Sequence, residues 1–333
     1  EGLYLGHPYN ITVGNGVKLG KNVNLHKGCT IGSENRGSRT GCPTIGDNVY
    51  VAANATVVGD IHIGSNVIIG AGSFNFTRVI TRDILSFPAL SDSRLVLVDI
   101  PEGEKYMASS HKIIQKIIDQ GGYHATVEST FDRRAALADA DCVIITIRND
   151  LTIEAWAKDL EIPKKYGIDV TVGDTRGPSG IFRFMRSVPA LKAISEDILE
   201  LCPGALVLNY TNPMCMVTGY MRRLGVEVIG LCHSVQNTAA MLARWIGADI
   251  KDVTYKCFGV NHQAFYTRLE HKGVDLYPRL RKLMENPEYY NKEQVRNEMF
   301  LKLGYYVTES SGHNSEYNQW FRKRPDLIEK YCT

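Results

Sequence analysis

The chain has 333 residues, enough for one large or two ordinary domains, and its 44% hydrophobic and 22% charged residues are an ordinary globular balance. A formal net charge of +2 gives no basis for a nucleic-acid or anionic-membrane partner, and no signal peptide or bilayer-length apolar run is read in it. The eight cysteines show no CxxC pair and no framework spacing, and most lie in apolar runs as reduced thiols do, so a reducing cytoplasm is expected.

Residues 1–66 carry a six-residue repeat. Small or branched apolar residues recur as Ile11, Val17, Val23 and Cys29, then as Val49, Ala55, Ile61 and Val67, with glycines between them as in Ile31-Gly32, Ile45-Gly46 and Ile63-Gly64. A period of six with one inward aliphatic side chain per period predicts a parallel β-helix. Ser33 to Gly41 breaks the phase and reads as a polar loop thrown out of one coil. The first residue is Glu1, so the natural start is expected upstream.

The stretch Val67-Ile68-Ile69-Gly70-Ala71-Gly72-Ser73 closes that repeat and also opens a second pattern. A β-branched run followed by Gly-x-Gly suits a dinucleotide-binding strand and turn, with Gly70 allowing the tight turn, Gly72 letting phosphate oxygens approach the backbone, and Ser73 closing the motif. Apolar residues at helical spacing follow over 76–90, then a strand over Leu95 to Asp99, whose acid is what a ribose diol needs. Val67 to Ile69 cannot line a β-helix and also form a sheet's central strand. The sheet is expected to win, because that strand is buried on both faces, leaving Ile61 to Asn66 frayed.

Further strands are predicted over Cys142 to Ile147, Leu206 to Leu208 and Val226 to Leu231, with helical segments such as Ser187 to Leu201 between them. Alternating strands and helices predict an α/β fold with a Rossmann-like doubly wound parallel sheet, ligands gathering at the strands' carboxyl ends. Asn209-Tyr210-Thr211-Asn212-Pro213 and Cys232-His233-Ser234-Val235 follow two such ends, and Asn261-His262 lies further on. A thiolate and an imidazole from separate loops suit a divalent metal with open positions; a buried structural cysteine and a surface histidine are the alternative.

The N-terminal segment resembles the left-handed β-helix acyltransferases, closest to serine O-acetyltransferase, through Gly6 to Ile11, His26 to Gly32 and Pro43 to Ser73. That resemblance implies His7 as the general base of an acetyl-CoA-dependent serine or sugar O-acetyltransferase. Cys42 stands where the family has a second histidine, and the family's helical N-terminal region is missing.

Residues 67–333 resemble glycoside hydrolase family 4, closest to its α-galactosidase branch, through Ile69 to Asp99, Gly173 to Gly180, Leu208 to Pro213, Cys232 to Val235, Asn261-His262 and Gly304 to Ser310. What the resemblance implies is an α-galactosidase that uses NAD and manganese (Mn2+) for oxidation at C3, elimination and water addition. It implies Gly70, Gly72, Ser73, Asp99, Thr175 and Gly177 on the cofactor, with Ser179 replacing a usual glycine. Cys232 and His262 become metal ligands, Asn212 a partner of the sugar and His233 the leaving-group acid. Tyr306 is the candidate for the C2 base, with Tyr305 and Glu298 as rivals. Family members run beyond the point matching Thr333, so a C-terminally truncated substrate domain, inactive or active, is expected, joined to a truncated β-helix at the shared Ile69 to Ser73. A homo-oligomer is expected, and a non-catalytic fusion whose β-helix promotes trimers is a further alternative.

Overall fold

The computed structural model describes residues 3–6, 11–19, 23–26, 29–34, 40–45, 50–51, 56–58, 66–71, 74–148 and 153–332. His7, Gly72, Ser73 and the stretch 61–65 lie outside the described residues. The chain divides into two compact units, one of residues 1–147, 192–209 and 221–229, the other of residues 148–191, 210–220 and 230–333. No described helix is long and apolar enough to cross a membrane.

In the first unit, eight short strands open the chain: β1 (Tyr4–Gly6), β2 (Thr12–Val13), β3 (Lys18–Leu19), β4 (Asn24–His26), β5 (Thr30–Gly32), β6 (Thr44–Ile45), β7 (Tyr50–Val51) and β8 (Thr56–Val58). They pair in parallel as three separate small sheets, β1-β4-β7, β2-β5-β8 and β3-β6. Thr12 pairs with Thr30, three six-residue periods on, whereas Thr30 pairs with Thr56. The longer second step contains the polar excursion, whose base is closed by an antiparallel bridge between Glu34 and Gly41. Val23, Leu25, Cys29, Ile31 and Ile45 form a small buried cluster, with Ile11, Val17 and Leu19 packed against it. One inward residue per period is therefore too few. Leu19, Leu25 and Ile31 repeat the same period two positions on, because alternate residues of a strand share a face.

The same unit holds a six-stranded sheet of β9 (Asn66–Ile69), β10 (Arg94–Val98), β11 (Thr126–Thr130), β12 (Cys142–Ile145), β13 (Leu206–Asn209) and β14 (Val228–Gly230), in the order β11-β10-β9-β12-β13-β14. Numbered from β9, this is 3-2-1-4-5-6, the Rossmann-like doubly wound order. β9 pairs in parallel on both sides, Val67 opposite Val96 and Val143, so the stretch claimed by two patterns goes to the sheet. Ile68, Leu95, Leu97, Val143 and Ile145 are fully buried, as strands covered on both faces must be. Helix α1 (Phe74–Leu85) follows β9 and stops short of Leu90, where Pro88–Leu90 make a 3-10 turn instead. α2 (Glu104–Gly121) and α3 (Arg133–Leu137) complete this half. Edge strand β11 is half exposed and carries little apolar signal.

Next come α4 (Ile153–Lys164), α5 (Gly177–Leu201), α6 (Met214–Arg223) and α7 (Ser234–Trp245). α5 starts ten residues before the predicted Ser187, carrying Pro189 within it. In the second unit an antiparallel pair, β15 (Val253–Val260) and β16 (Gln263–His271), is extended by β17 (Val274–Asp275). α8 (Tyr277–Leu283), α9 (Pro287–Tyr290), α10 (Gln294–Leu303) and α11 (Ser311–Tyr317) follow. The core there gathers Leu242, Ile246, Tyr266, Leu280, Phe300 and Tyr306.

Candidate active site

In the first unit, register sets Ile69 level with Val98 and with Ile145, so Gly70, Asp99 and Thr146 leave three neighbouring strands together. This is where strand order reverses, the place at which doubly wound sheets bind ligands. Gly70 has φ +87°, and a Cβ there would lie 2.7 Å from Ile147 N and 2.8 Å from the Thr146 carbonyl carbon. Only glycine fits. Its amide donates to Val98 O at 2.8 Å, and Thr146 Oγ1 donates to Gly70 O at 2.9 Å. Asp99 Oδ1 accepts from the Ile100 amide at 2.8 Å. This glycine turn, leading into α1 with an acid on the adjacent strand, could hold a dinucleotide.

The second unit holds a denser polar cluster. His262 occupies the turn between β15 and β16 with φ 62°. Val307 bridges Phe265, and the Thr308 amide donates to Ala264 O at 2.8 Å, laying this segment along β16. That delivers Glu309, itself at φ 69°, to the imidazole, with His262 Nε2 3.5 Å from Glu309 Oε2. Two non-glycine residues in the left-handed region at one site are the kind of local strain that functional sites hold. Cys232 enters from the residues just before α7, where its Sγ accepts from the Ser234 amide at 3.4 Å. The sulfur, a His262 ring nitrogen and a Glu309 carboxylate oxygen all lie within 4.8 Å of one another.

Asp174, His262 and His313 form a second such group. Thr175 Oγ1 donates to Asp174 Oδ1 at 2.8 Å and lies 2.9 Å from His262 Nδ1, while Asn212 Nδ2 donates to Asp174 Oδ2 at 3.1 Å. His313 Nε2 is 3.4 Å from Asp174 Oδ1, and the Tyr317 hydroxyl is 3.5 Å from Asp174 Oδ1 and from His262 Nδ1. Glu316 of α11 fixes this loop: its carboxylate accepts from the amides of Thr171, Val172 and Gly173 at 2.8, 2.9 and 2.9 Å.

Charge follows geometry. Burial works against the Cys232 thiolate, yet hydrogen bonds from His262 and Ser234 hold the thiol below its usual value. Burial likewise pulls His262 down, and Cys232, then Glu309 and Asp174, outweigh it and raise the imidazole. Asp174 would rise on burial, but His313 and Thr175 bring it to about 2. A thiolate, an imidazole and a carboxylate form a donor set that suits a borderline divalent ion. Beside them, both amide atoms of Asn261 are buried without a hydrogen-bond partner, as a bound polar ligand would require.

Of the residues read from sequence, the structure brings Cys232 and His262 together and sets Asn212 on Asp174. His233 is exposed and stacks on Tyr210, ring centroids 5.6 Å apart. Gly177 begins α5 at φ 70° with open space around it. Ser179 is buried and donates to Asp159 O at 2.6 Å. Two of these residues lie deeper than expected. Thr175, expected on the cofactor, is only 3% exposed, with its hydroxyl committed to Asp174 and His262. Tyr306 is fully buried against Trp245 and Phe300, and its hydroxyl donates to Asn297 Oδ1 at 2.9 Å instead of facing the cluster around His262. Of its rivals, Tyr305 is 48% exposed against Tyr277, and Glu298 accepts from Tyr290. Glu309, Asp174, His313 and Tyr317 were not legible as site residues, although Asp174 and Glu309 sit inside stretches that carried the resemblance.

Residues 65–248 match the family model described as family 4 glycosyl hydrolase, and residues 257–333 match that of its C-terminal domain. Residues 42–74 match the bacterial transferase hexapeptide model, so two matches share the stretch that contains β9. An alpha-galactosidase of Rhizobium meliloti (strain 1021) is 39% identical over 268 residues, 79% of this chain and 54% of that protein. An alpha-galactosidase of Bacillus subtilis (strain 168) is 39% identical over 264 residues, 78% of this chain and 61% of that one. The chain thus spans little more than half the length of these relatives. The 6-phospho-beta glucosidase of Thermotoga maritima, solved with manganese, NAD+ and glucose-6-phosphate, superimposes with a TM-score of 0.64 at 21% identity, covering 81% of this chain and 62% of that one.

Proposed function

The chain belongs to family 4 of the glycosyl hydrolases, and from that membership we propose that it is an NAD- and divalent-metal-dependent α-galactosidase working by oxidation at C3, elimination and water addition. The observation that carries the reading is the convergence of Cys232, His262 and Glu309 on one point. These three would hold manganese, and the turn of Gly70 with Asp99 would hold NAD. The chemistry those groups supply when bound is reversible hydride transfer at C3 and Lewis-acid polarisation of the C2 and C3 oxygens. A pair of carboxylates flanking the glycosidic bond is then unnecessary.

This chain's own residues bind and move protons. Asn212 keeps its side-chain oxygen for a sugar hydroxyl while its Nδ2 is held by Asp174. His233, exposed beside Tyr210, holds a proton for the leaving oxygen. Tyr317 is our candidate in place of Tyr306 for the phenol that handles the C2 proton, on geometry alone: its hydroxyl reaches the polar cluster and that of Tyr306 does not, while burial pushes both phenols up. Two relatives named alpha-galactosidase, and a same-fold enzyme holding manganese and NAD+, support the substrate class and the cofactors. We assign residues 1–66 to a left-handed β-helix fragment and residues 67–333 to the glycosidase part, in a cytoplasmic homo-oligomer. The acetyl-CoA-dependent reading is not favoured: its support is the match over residues 42–74, and its base His7 lies outside the described residues.

Release of 4-nitrophenol from 4-nitrophenyl α-galactoside tests the proposal. Turnover should require NAD+, Mn2+ and reductant together. Hydrolysis that persists after chelation and removal of NAD+ would sink it.

A further inference from the structure

Glu316 is an acid beside the site for which the chemistry above has no use, because its carboxylate is spent on backbone. Oε2 accepts from the amides of Thr171 and Val172 at 2.8 and 2.9 Å, and Oε1 from that of Gly173 at 2.9 Å. Three successive amides converge on one anion only where the chain curls into a nest, which Gly173 at φ 61° permits. Trp156 Nε1 donates to Val172 O at 2.9 Å and holds the same peptide units from their other side. The next residue is Asp174, whose Oδ2 accepts from Asn212 Nδ2 at 3.1 Å. The acid that turns Asn212 is thus placed by the peptide units that Glu316 gathers. α11 itself is secured elsewhere: Ser310 Oγ accepts from the His313 amide at 3.3 Å, and Glu293 Oε2 from the Ser311 amide at 3.0 Å.

We propose that Glu316 is a positioning residue for the sugar: it fills the nest of residues 171–173 and, through Asp174, aims the side-chain oxygen of Asn212 at a substrate hydroxyl. Its purpose rests on the reading of Asn212 as the sugar's partner, whereas the relay of hydrogen bonds stands without that reading. Tyr317 rides on α11 rather than on the nest, so loss of the Glu316 carboxylate loosens the hold on the sugar and leaves the phenol where it is. A contact made equally in the ground and transition states raises KM when it is lost and keeps kcat.

Two measurements on the full chain test this. In the 15N-labelled protein without metal or nucleotide, the side-chain amide signal of Asn212, assigned by difference against Asn212→Asp, reports whether Nδ2 is bonded to a carboxylate. Glu316→Ala should move that signal to the position of a free amide, and acetate, a carboxylate small enough to enter the emptied nest, should return it. Glu316→Gln fills the same space with one acceptor fewer, so it should move the signal and not respond to acetate. With 4-nitrophenyl α-galactoside both variants should raise KM roughly 10-fold, about the worth of one hydrogen bond, and keep kcat within about twofold. Acetate should restore KM in the alanine variant alone. An Asn212 signal unmoved in Glu316→Ala overturns the relay, acetate without effect on that variant overturns the nest, and a fall in kcat at constant KM overturns the role in sugar binding. If the alanine variant does not fold, the glutamine variant gives the same Asn212 signal and KM. A wild type without galactosidase turnover removes the sugar reading, and the Asn212 signal still confirms or refutes the relay.

Discussion

The turn after β9 and the cluster around His262 are built in opposite ways. The first is made of backbone: Gly70 is at φ +87°, a Cβ there would lie 2.7 Å from Ile147 N, and its groups are fixed by strand register. The second is made of side chains carried in by segments far apart in sequence, Cys232 before α7, His262 on a β-turn, Glu309 before α11 and Asp174 with Thr175 before α5. A backbone site is damaged by adding atoms, and a side-chain site by removing them.

That contrast can be broken experimentally. Cys232→Ala and His262→Ala each delete a ligand atom and should lower Mn2+ affinity by more than the roughly 100-fold upper cost of losing an outer partner, with glycosidase turnover at background. Mn2+ titration and the nitrophenyl assay check this, and wild-type affinity in either variant would place the metal elsewhere. Gly70→Ala does the opposite, adding one methyl group. It should cost about 1–3 kcal/mol of stability and abolish NAD binding, read by melting temperature and nucleotide fluorescence. Asp99→Ala removes an acceptor without adding bulk, so NAD affinity should fall by about 1.5–3 kcal/mol while dissociation of Mn2+ is unchanged. Tyr306→Phe should leave turnover intact and cost about 1–3 kcal/mol of stability, because Asn297 loses its donor in a buried place. Loss of turnover with full stability would restore Tyr306 to the chemistry.

A last comparison sharpens the electrostatic side. Cys232 is held below its usual value, whereas burial pushes Cys142 up to about 12 and Cys202 and Cys257 to about 11. In the metal-free chain the Cys232 thiolate therefore persists to lower pH than the other three. Iodoacetamide at neutral pH should label Cys232 first among these four, and Mn2+ should slow that labelling.

The backbone site was largely legible because its signal is local. Val67 to Gly70 and Leu95 to Asp99 lie within one strand–helix–strand unit, and periodicity with turn chemistry reports such units directly. The side-chain site was legible only in Cys232, His262 and Asn212. Glu309 reaches His262 through the pairing of Val307–Thr308 with β16, and no local pattern announces that pairing. Tyr306 and Tyr317 illustrate the same limit. Both belong to one short aromatic-rich stretch, yet one turns into the core and the other into the polar cluster. Likewise the first turns of α5, before Ser187, were not read as helical.

The chain enters β9 at Asn66 and leaves it at Gly70. Incoming polypeptide is therefore attached at the amino end of the central strand, about 13 Å from the nucleotide turn at 3.3 Å per residue. Doubly wound parallel sheets bind their ligands at the other, carboxyl end. Whatever sequence precedes Asn66 therefore meets the sheet at the end opposite the nucleotide turn.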